Sequence, residues 1–117
     1  IDVYNHGDMA RDFTYIDDIV HGVLAVLALP RPADLVPHRV FNIGNNKPER
    51  LMHFIGVLEQ AIGREAGKRM LPMQPGDVQA TAAEVRRLHA ATGWAPSTPI
   101  EVGLPRMVEW YRAYFRV

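Results

Sequence analysis

The sequence predicts a mixed α/β chain of few short strands and about four helices, and three observations carry that expectation. Apolar residues alternate with polar or aromatic ones at Ile1-Asp2-Val3-Tyr4, and a second apolar run falls at Arg39-Val40-Phe41-Asn42-Ile43-Gly44. Four other stretches carry apolar residues at helical spacing. Proline and glycine punctuate the junctions between them. With 117 residues, 48% of them hydrophobic and 22% charged, the chain can bury one core, so one compact domain over residues 1–117 is expected.

In chain order, the first strand should turn Ile1 and Val3 inward and Asp2 and Tyr4 to the other face. His6-Gly7-Asp8 then turns the chain toward Arg11. A helix over residues 17–28 follows from the spacing of Ile19, Val20, Val23, Leu24, Val26 and Leu27, with Asp17 or Asp18 as its cap and Pro30 and Pro32 as its stop. A linker runs through Pro37 to the second strand at residues 39–44. The next helix, residues 51–62, sets Phe54, Ile55, Leu58 and Ile62 on one side and ends at Gly63. Lys68 to Met73 reads as a short strand, and Gln74-Pro75-Gly76-Asp77 as a turn. Thr81-Ala82-Ala83-Glu84 has the spacing of a capping box opening a helix to about Thr92, with Gly93 as its stop. Thr98-Pro99-Ile100-Glu101 repeats the device with proline at the first helical position. That last helix should reach about Phe115, with Pro105 either kinking it or delaying its start.

Composition excludes several classes. Thirteen basic and thirteen acidic side chains cancel, leaving no broad footprint for nucleic acid or an anionic membrane. The absence of cysteine removes disulfides, thiolate metal sites and a cysteine nucleophile, and suits a cytoplasmic location. No apolar run approaches the roughly 20 residues that span a bilayer. The chain opens at Ile1, already in strand-like sequence, which reads as a truncated or processed chain whose beginning lies upstream.

The chemically most informative segment is Arg11-Asp12-Phe13-Thr14-Tyr15-Ile16-Asp17-Asp18. In an extended segment Arg11 and Phe13 share a face, so a guanidinium and a flat ring could grip one nucleotide together. Alternatively, Arg11-Asp12 is an exposed ion pair and Phe13 and Tyr4 are core aromatics. By default Asp77 is a turn residue, and Asp12, Asp17 and Asp18 are salt-bridge partners or caps. The complement needed for a reaction is missing: no Gly-x-Gly-x-x-Gly or Walker loop occurs, no tyrosine has a lysine four residues later, and no Gly-x-Ser-x-Gly elbow surrounds Ser97. His6, His21, His38, His53 and His89 show no zinc-like spacing, so no metal site is expected.

The Arg11-to-Asp18 segment resembles the sequence that follows the Rossmann part in nucleotide-sugar epimerases and dehydratases of the extended short-chain dehydrogenase/reductase family, and most resembles UDP-glucuronate 4-epimerases. Ile1-Asp2-Val3-Tyr4-Asn5, Val40-Phe41-Asn42-Ile43-Gly44, Met73-Gln74-Pro75-Gly76-Asp77-Val78, Thr92-Gly93-Trp94-Ala95-Pro96 and Trp110-Tyr111 arrive in that family's order. The resemblance implies the C-terminal substrate-binding portion of an extended Rossmann-type epimerase, whose missing N-terminal Rossmann domain would hold NAD and the catalytic residues. No cofactor and no catalytic residue are then expected here, and the chain alone should not turn over.

By the same resemblance Arg11 would contact the diphosphate of a UDP-sugar such as UDP-glucuronate or UDP-galacturonate, and Phe13 would lie against the uridine. Asp77 would accept from a ribose hydroxyl, and Tyr4 and Asp2 would line the base. Gln74 stands where galactose epimerases have arginine, which removes one phosphate charge. Without the Rossmann half, the exposed surface would self-associate, and a homodimer is a further expected partner. Two other readings fit the same residues: a dehydratase, decarboxylase or reductase of the family, and a stand-alone, non-catalytic binding domain.

Overall fold

The computed structural model describes residues 1–31 and 38–117. Four two-residue strands and four α-helices follow one another as β1 (Asp2–Val3), β2 (Ala10–Arg11), α1 (Ile16–Leu27), β3 (Glu49–Arg50), α2 (Leu51–Ile62), β4 (Arg69–Met70), α3 (Arg86–Thr92) and α4 (Ile100–Phe115), with a 3-10 segment at Tyr4–Gly7. This is the expected class of few strands and four helices. The expected linker lies mostly in residues 32–37, outside the described residues.

Strand pairing joins distant parts of the chain. β1 runs parallel to β4, with Asp2 opposite Arg69 and Val3 opposite Met70. β2 runs antiparallel to β3, with Ala10 opposite Arg50 and Arg11 opposite Glu49, and Ala10 also bridges Ala80 on its other side. Val3 is 1% exposed, as alternation predicts, but Ile1 is 61% exposed. With only Asp2–Val3 in the ladder, alternation has no hold on Ile1 or Tyr4. The 3-10 turn that replaces the end of the strand places Asn5 and His6 at positive φ, ahead of Gly7 at φ +84°. A Cβ at Gly7 would also meet the Met52 sulfur at 2.7 Å, so the flexible Met52 side chain would have to move.

The second expected strand, residues 39–44, does not form. A strand exists only where a neighbour completes its ladder, and residues 39–44 have none among the described residues. Instead Phe41 and Ile43 pack on a small core of Val85, Leu88 and Trp94. Gly22 of α1 belongs to the same contact, its Cα lying where a Cβ would meet Trp94 at 3.1 Å and Ile43 at 3.4 Å.

Helices fall close to their expected bounds, while their caps differ. α2 spans the expected residues and ends at Gly63 with φ +76°. α1 starts at Ile16, so Asp17 and Asp18 lie inside its first turn and neither caps it. The capping box at Thr81–Glu84 is not made: Thr81 Oγ1 accepts from the Asp12 N–H, and Glu84 Oε1 accepts from the Arg86 N–H and Nε. α3 therefore begins only at Arg86. Pro99 precedes α4 rather than opening it, and α4 continues through Pro105 to Phe115. Near a helix start, a proline forfeits one backbone bond without stopping the run.

α2 and α4 pack together, with Ile55, Ile100, Leu104 and Val108 buried. Elsewhere apolar surface stays open. Val20, Val23, Leu24 and Leu27 of α1 and Trp110, Tyr111, Tyr114 and Phe115 of α4 are each at least 45% exposed. The radius of gyration is 17.6 Å, against about 13 Å for a compact domain of this length. Solvent-accessible surface is 8352 Å², against about 6,400 Å² for a monomer of this mass.

Candidate functional site

Arg11 sits at the end of β2 with most of its guanidinium committed. Nη1 donates to the carbonyls of Ala10 at 2.9 Å and Gln79 at 3.1 Å, and Nη2 donates to Asp77 Oδ1 at 2.8 Å. The ion-pair partners are 25% and 32% exposed, so the pair is partly screened from water. A guanidinium has five N–H donors. Three are used within the described residues, which leaves Nε–H and one Nη2–H to donate outward. The alternative ion pair with Asp12 does not form; Arg11 pairs across 66 residues with Asp77.

Asp77 is held where it can do this. It closes the turn that begins at Gln74, its N–H donating to the Gln74 carbonyl at 3.2 Å across Gly76 at φ +83°. Asp77 Oδ1 also accepts the Val78 N–H at 2.8 Å, so a ligand hydroxyl would find Oδ2 rather than Oδ1. Gln74 itself is exposed on this turn. Asp2 faces Arg69, which grips both carboxylate oxygens at 2.8 and 2.7 Å, while Tyr4 is half-buried in the 3-10 turn beside it. The two ladders thus bring Asp2 and Tyr4 to one edge and Arg11 and Asp77 to another.

Phe13 goes elsewhere. The strand ends at Arg11, so the two-residue rule no longer sets the direction of residue 13, and Phe13 stacks on Phe54 of α2 with ring centroids 3.9 Å apart. Both rings open onto a 680 Å³ cavity bounded by Tyr15, Ile100, Leu104 and Trp110, and Arg11 and Asp77 are not among its walls. Arg106 lies 5.9 Å over the Tyr15 ring at its margin. Such a cavity suits an apolar or aromatic group, and the charged edge suits an anion. Sequence reasoning missed Phe54 because nothing local in α2 distinguishes a ring that packs from one that partners Phe13.

Two aspartates of the same segment were expected to be caps or ion-pair partners, and both instead collect N–H donors from remote chain. Asp12 accepts from Asn45 at 2.9 Å, Asn46 at 3.0 Å and Ala83 at 2.7 Å. Asp18, only 4% exposed, accepts from the Thr98 N–H at 2.9 Å and from the N–H and hydroxyl of Ser97 at 3.3 Å. Burial alone would raise the Asp18 carboxyl, yet the N–H groups of Thr98 and Ser97, with their hydroxyls, bring it below the ordinary value. Ser97 is thus the loop residue its neighbours suggested, bound to Asp18.

Among the described residues no three His, Asp or Glu side chains converge as a metal site, and no helix is long and apolar enough to cross a membrane. The fit for a dinucleotide is poor. The segments leading into α1 and α2 carry Tyr15 and Arg50 in place of a glycine turn, and β1 runs into the 3-10 turn rather than a helix.

Four helices with few short strands match the C-terminal part of Rossmann-like epimerases of known structure. Residues 1–44 match the NAD dependent epimerase/dehydratase family. It is 42% identical over 130 residues to a probable UDP-glucuronate 4-epimerase of Rhizobium meliloti, covering 99% of this chain and 38% of that protein. Protein CapI of Staphylococcus aureus is 40% identical over 129 residues, with 99% and 39% covered. The UDP-glucuronic acid 4-epimerase of Bacillus cereus, solved with UDP-glucuronic acid and NAD, superposes with a TM-score of 0.81 at 26% identity over 97% of this chain and 35% of that one. The chain therefore spans less than two fifths of the length of the relatives it matches.

Proposed function

We propose that these residues form the nucleoside-diphosphate-binding portion of an NAD-dependent nucleotide-sugar epimerase that takes UDP-glucuronate or UDP-galacturonate. The observation that carries this reading is the Arg11 guanidinium, fixed by Asp77, Ala10 and Gln79 with two N–H donors left over. A side chain already immobilised loses little rotamer freedom when a diphosphate arrives, so more of each charged hydrogen bond is realised as affinity. Support also comes from the Bacillus cereus relative, whose structure holds UDP-glucuronic acid.

The division of labour follows from what the residues offer. Arg11 donates to diphosphate oxygens, Asp77 accepts from a ribose hydroxyl, and Asp2, Tyr4 and Gln74 border the nucleoside. Phe13, stacked on Phe54 in the separate apolar cavity, is left out of the nucleotide contact. Holding the non-reacting nucleotide positions the sugar for chemistry supplied by residues outside this chain. The chain alone has no turnover, and the apolar stripe of α1 would be covered in the complete protein; left bare, it drives self-association. Calorimetric titration of the full-length protein with UDP tests the reading. Arg11→Ala should weaken binding by about 1.5 to 3 kcal/mol, the range for a charged hydrogen bond. Unaltered affinity would return Arg11 to a structural ion pair.

A further inference from the structure

Asp12 lies between Arg11, which the proposed site uses, and Phe13, yet it touches neither the cavity of Phe13 nor the carboxylate of Asp77. Its Oδ1 accepts from Asn45, and its Oδ2 from both Asn46 and Ala83, joining segments 33, 34 and 71 residues away. Three of the roughly four acceptor positions of the Asp12 carboxylate are thus taken by backbone N–H groups.

The bond from Ala83 ends a run in which residues 77–83 lie along residues 8–12, and the bonds from Asn45 and Asn46 fix the carboxylate that receives it. Gln79 Nε2 donates to Asp8 Oδ2 at 2.8 Å, the Ala10 N–H to the Gln79 carbonyl at 2.9 Å, and the Thr81 N–H to the Ala10 carbonyl at 3.2 Å. The Asp12 N–H then reaches Thr81 Oγ1 at 3.4 Å, and Ala83 closes the run on Asp12 Oδ2 at 2.7 Å. Both remote partners of Arg11, Asp77 and the Gln79 carbonyl, sit on this run. A slip of the run would carry both away from the guanidinium. The junction is tight: a Cβ on Gly44 would meet the Ala83 Cβ at 2.4 Å and Asp12 Oδ2 at 3.0 Å, so a side chain there would displace this contact.

We infer that Asp12 is a positioning residue for diphosphate binding, acting through Arg11 by locking residues 77–83 in the register that holds the Arg11–Asp77 pair ready. The inference rests on the binding role proposed above. Asparagine at this position is nearly isosteric, but its amide must oppose at least one of the three N–H groups with a donor of its own.

The test is a double-mutant cycle in the full-length protein, read as UDP affinity by calorimetry, with thermal unfolding used to confirm that each variant is folded. Asp12→Asn should lower UDP affinity about five-fold when Arg11 is present and less than about two-fold in the Arg11→Ala background. Uridine, which loses only the Asp77–ribose contact, should weaken less than UDP in Asp12→Asn. Asp12→Ala, which removes all three bonds, should give a larger loss with the same dependence on Arg11; where it does not fold, Asp12→Asn carries the comparison. Equal losses in both backgrounds, or an unchanged UDP affinity in Asp12→Asn, would overturn the inference. Should Arg11→Ala itself leave UDP affinity unchanged, the binding role fails and the inference falls with it.

Discussion

Asp12 and Asp18 stand six residues apart in one motif, and each collects three hydrogen bonds from distant chain, yet they anchor regions of different character. Around Asp12 the chain forms short ladders whose surface carries the charged Arg11–Asp77 pair. Around Asp18, α1 meets the start of α4, and the wall beyond is apolar, with Ile100, Leu104 and Trp110. The same side-chain chemistry thus ties down a ligand-facing edge in one place and a packing joint in the other. The difference lies in what sits next door: beside Asp12, a guanidinium with donors to spare; beside Asp18, helix termini and rings.

If the regions are distinct in this way, damage at Asp18 should be felt in stability and not in nucleotide affinity. Asp18→Ala strands the part-buried N–H groups of Ser97 and Thr98 and should cost on the order of 1 to 3 kcal/mol in denaturant unfolding, while the folded variant binds UDP as before. A parallel fall in UDP affinity would dissolve the distinction. A smaller effect should appear with pH. The Asp18 carboxyl is depressed in the folded state, so its stabilisation is fully present above the ordinary carboxylate value of 3.8 and is lost as pH falls through the depressed folded value. Thermal midpoints should therefore drop below about pH 4 in the parent, and that drop should shrink in Asp18→Asn. Smallest of all is the exposed His53–Glu101 contact between α2 and α4, at 2.7 Å. His53→Ala should leave the midpoint within about 1 °C, since exposed pairs contribute little.

Legibility in the sequence followed the range of the interaction that decides each feature. α2 could be bounded to the residue because its apolar spacing and Gly63 are local signals. The turn at Gln74–Asp77 was equally plain, since Pro75 and Gly76 permit little else. Residues 39–44 have the composition of a strand, but a strand is completed by its neighbour, and composition carries no information about whether one is there. The capping box failed for a related reason: Asp12 takes the Thr81 hydroxyl and the Ala83 N–H that a local cap would have used. In the site, Arg11 and Asp77 could be chosen as binding residues, but their contact across 66 residues could not. Asp12 was read as a salt-bridge partner because its donors are backbone groups, which no side-chain pattern announces.

The central claim is that Arg11 serves the diphosphate rather than the fold, and comparing UDP with uridine tests it most directly. In calorimetry on the full-length protein, Arg11→Ala should weaken UDP by about ten-fold or more and leave uridine where it was, so that most of the advantage of UDP over uridine disappears. An equal loss for both ligands, or no loss for either, would contradict the account.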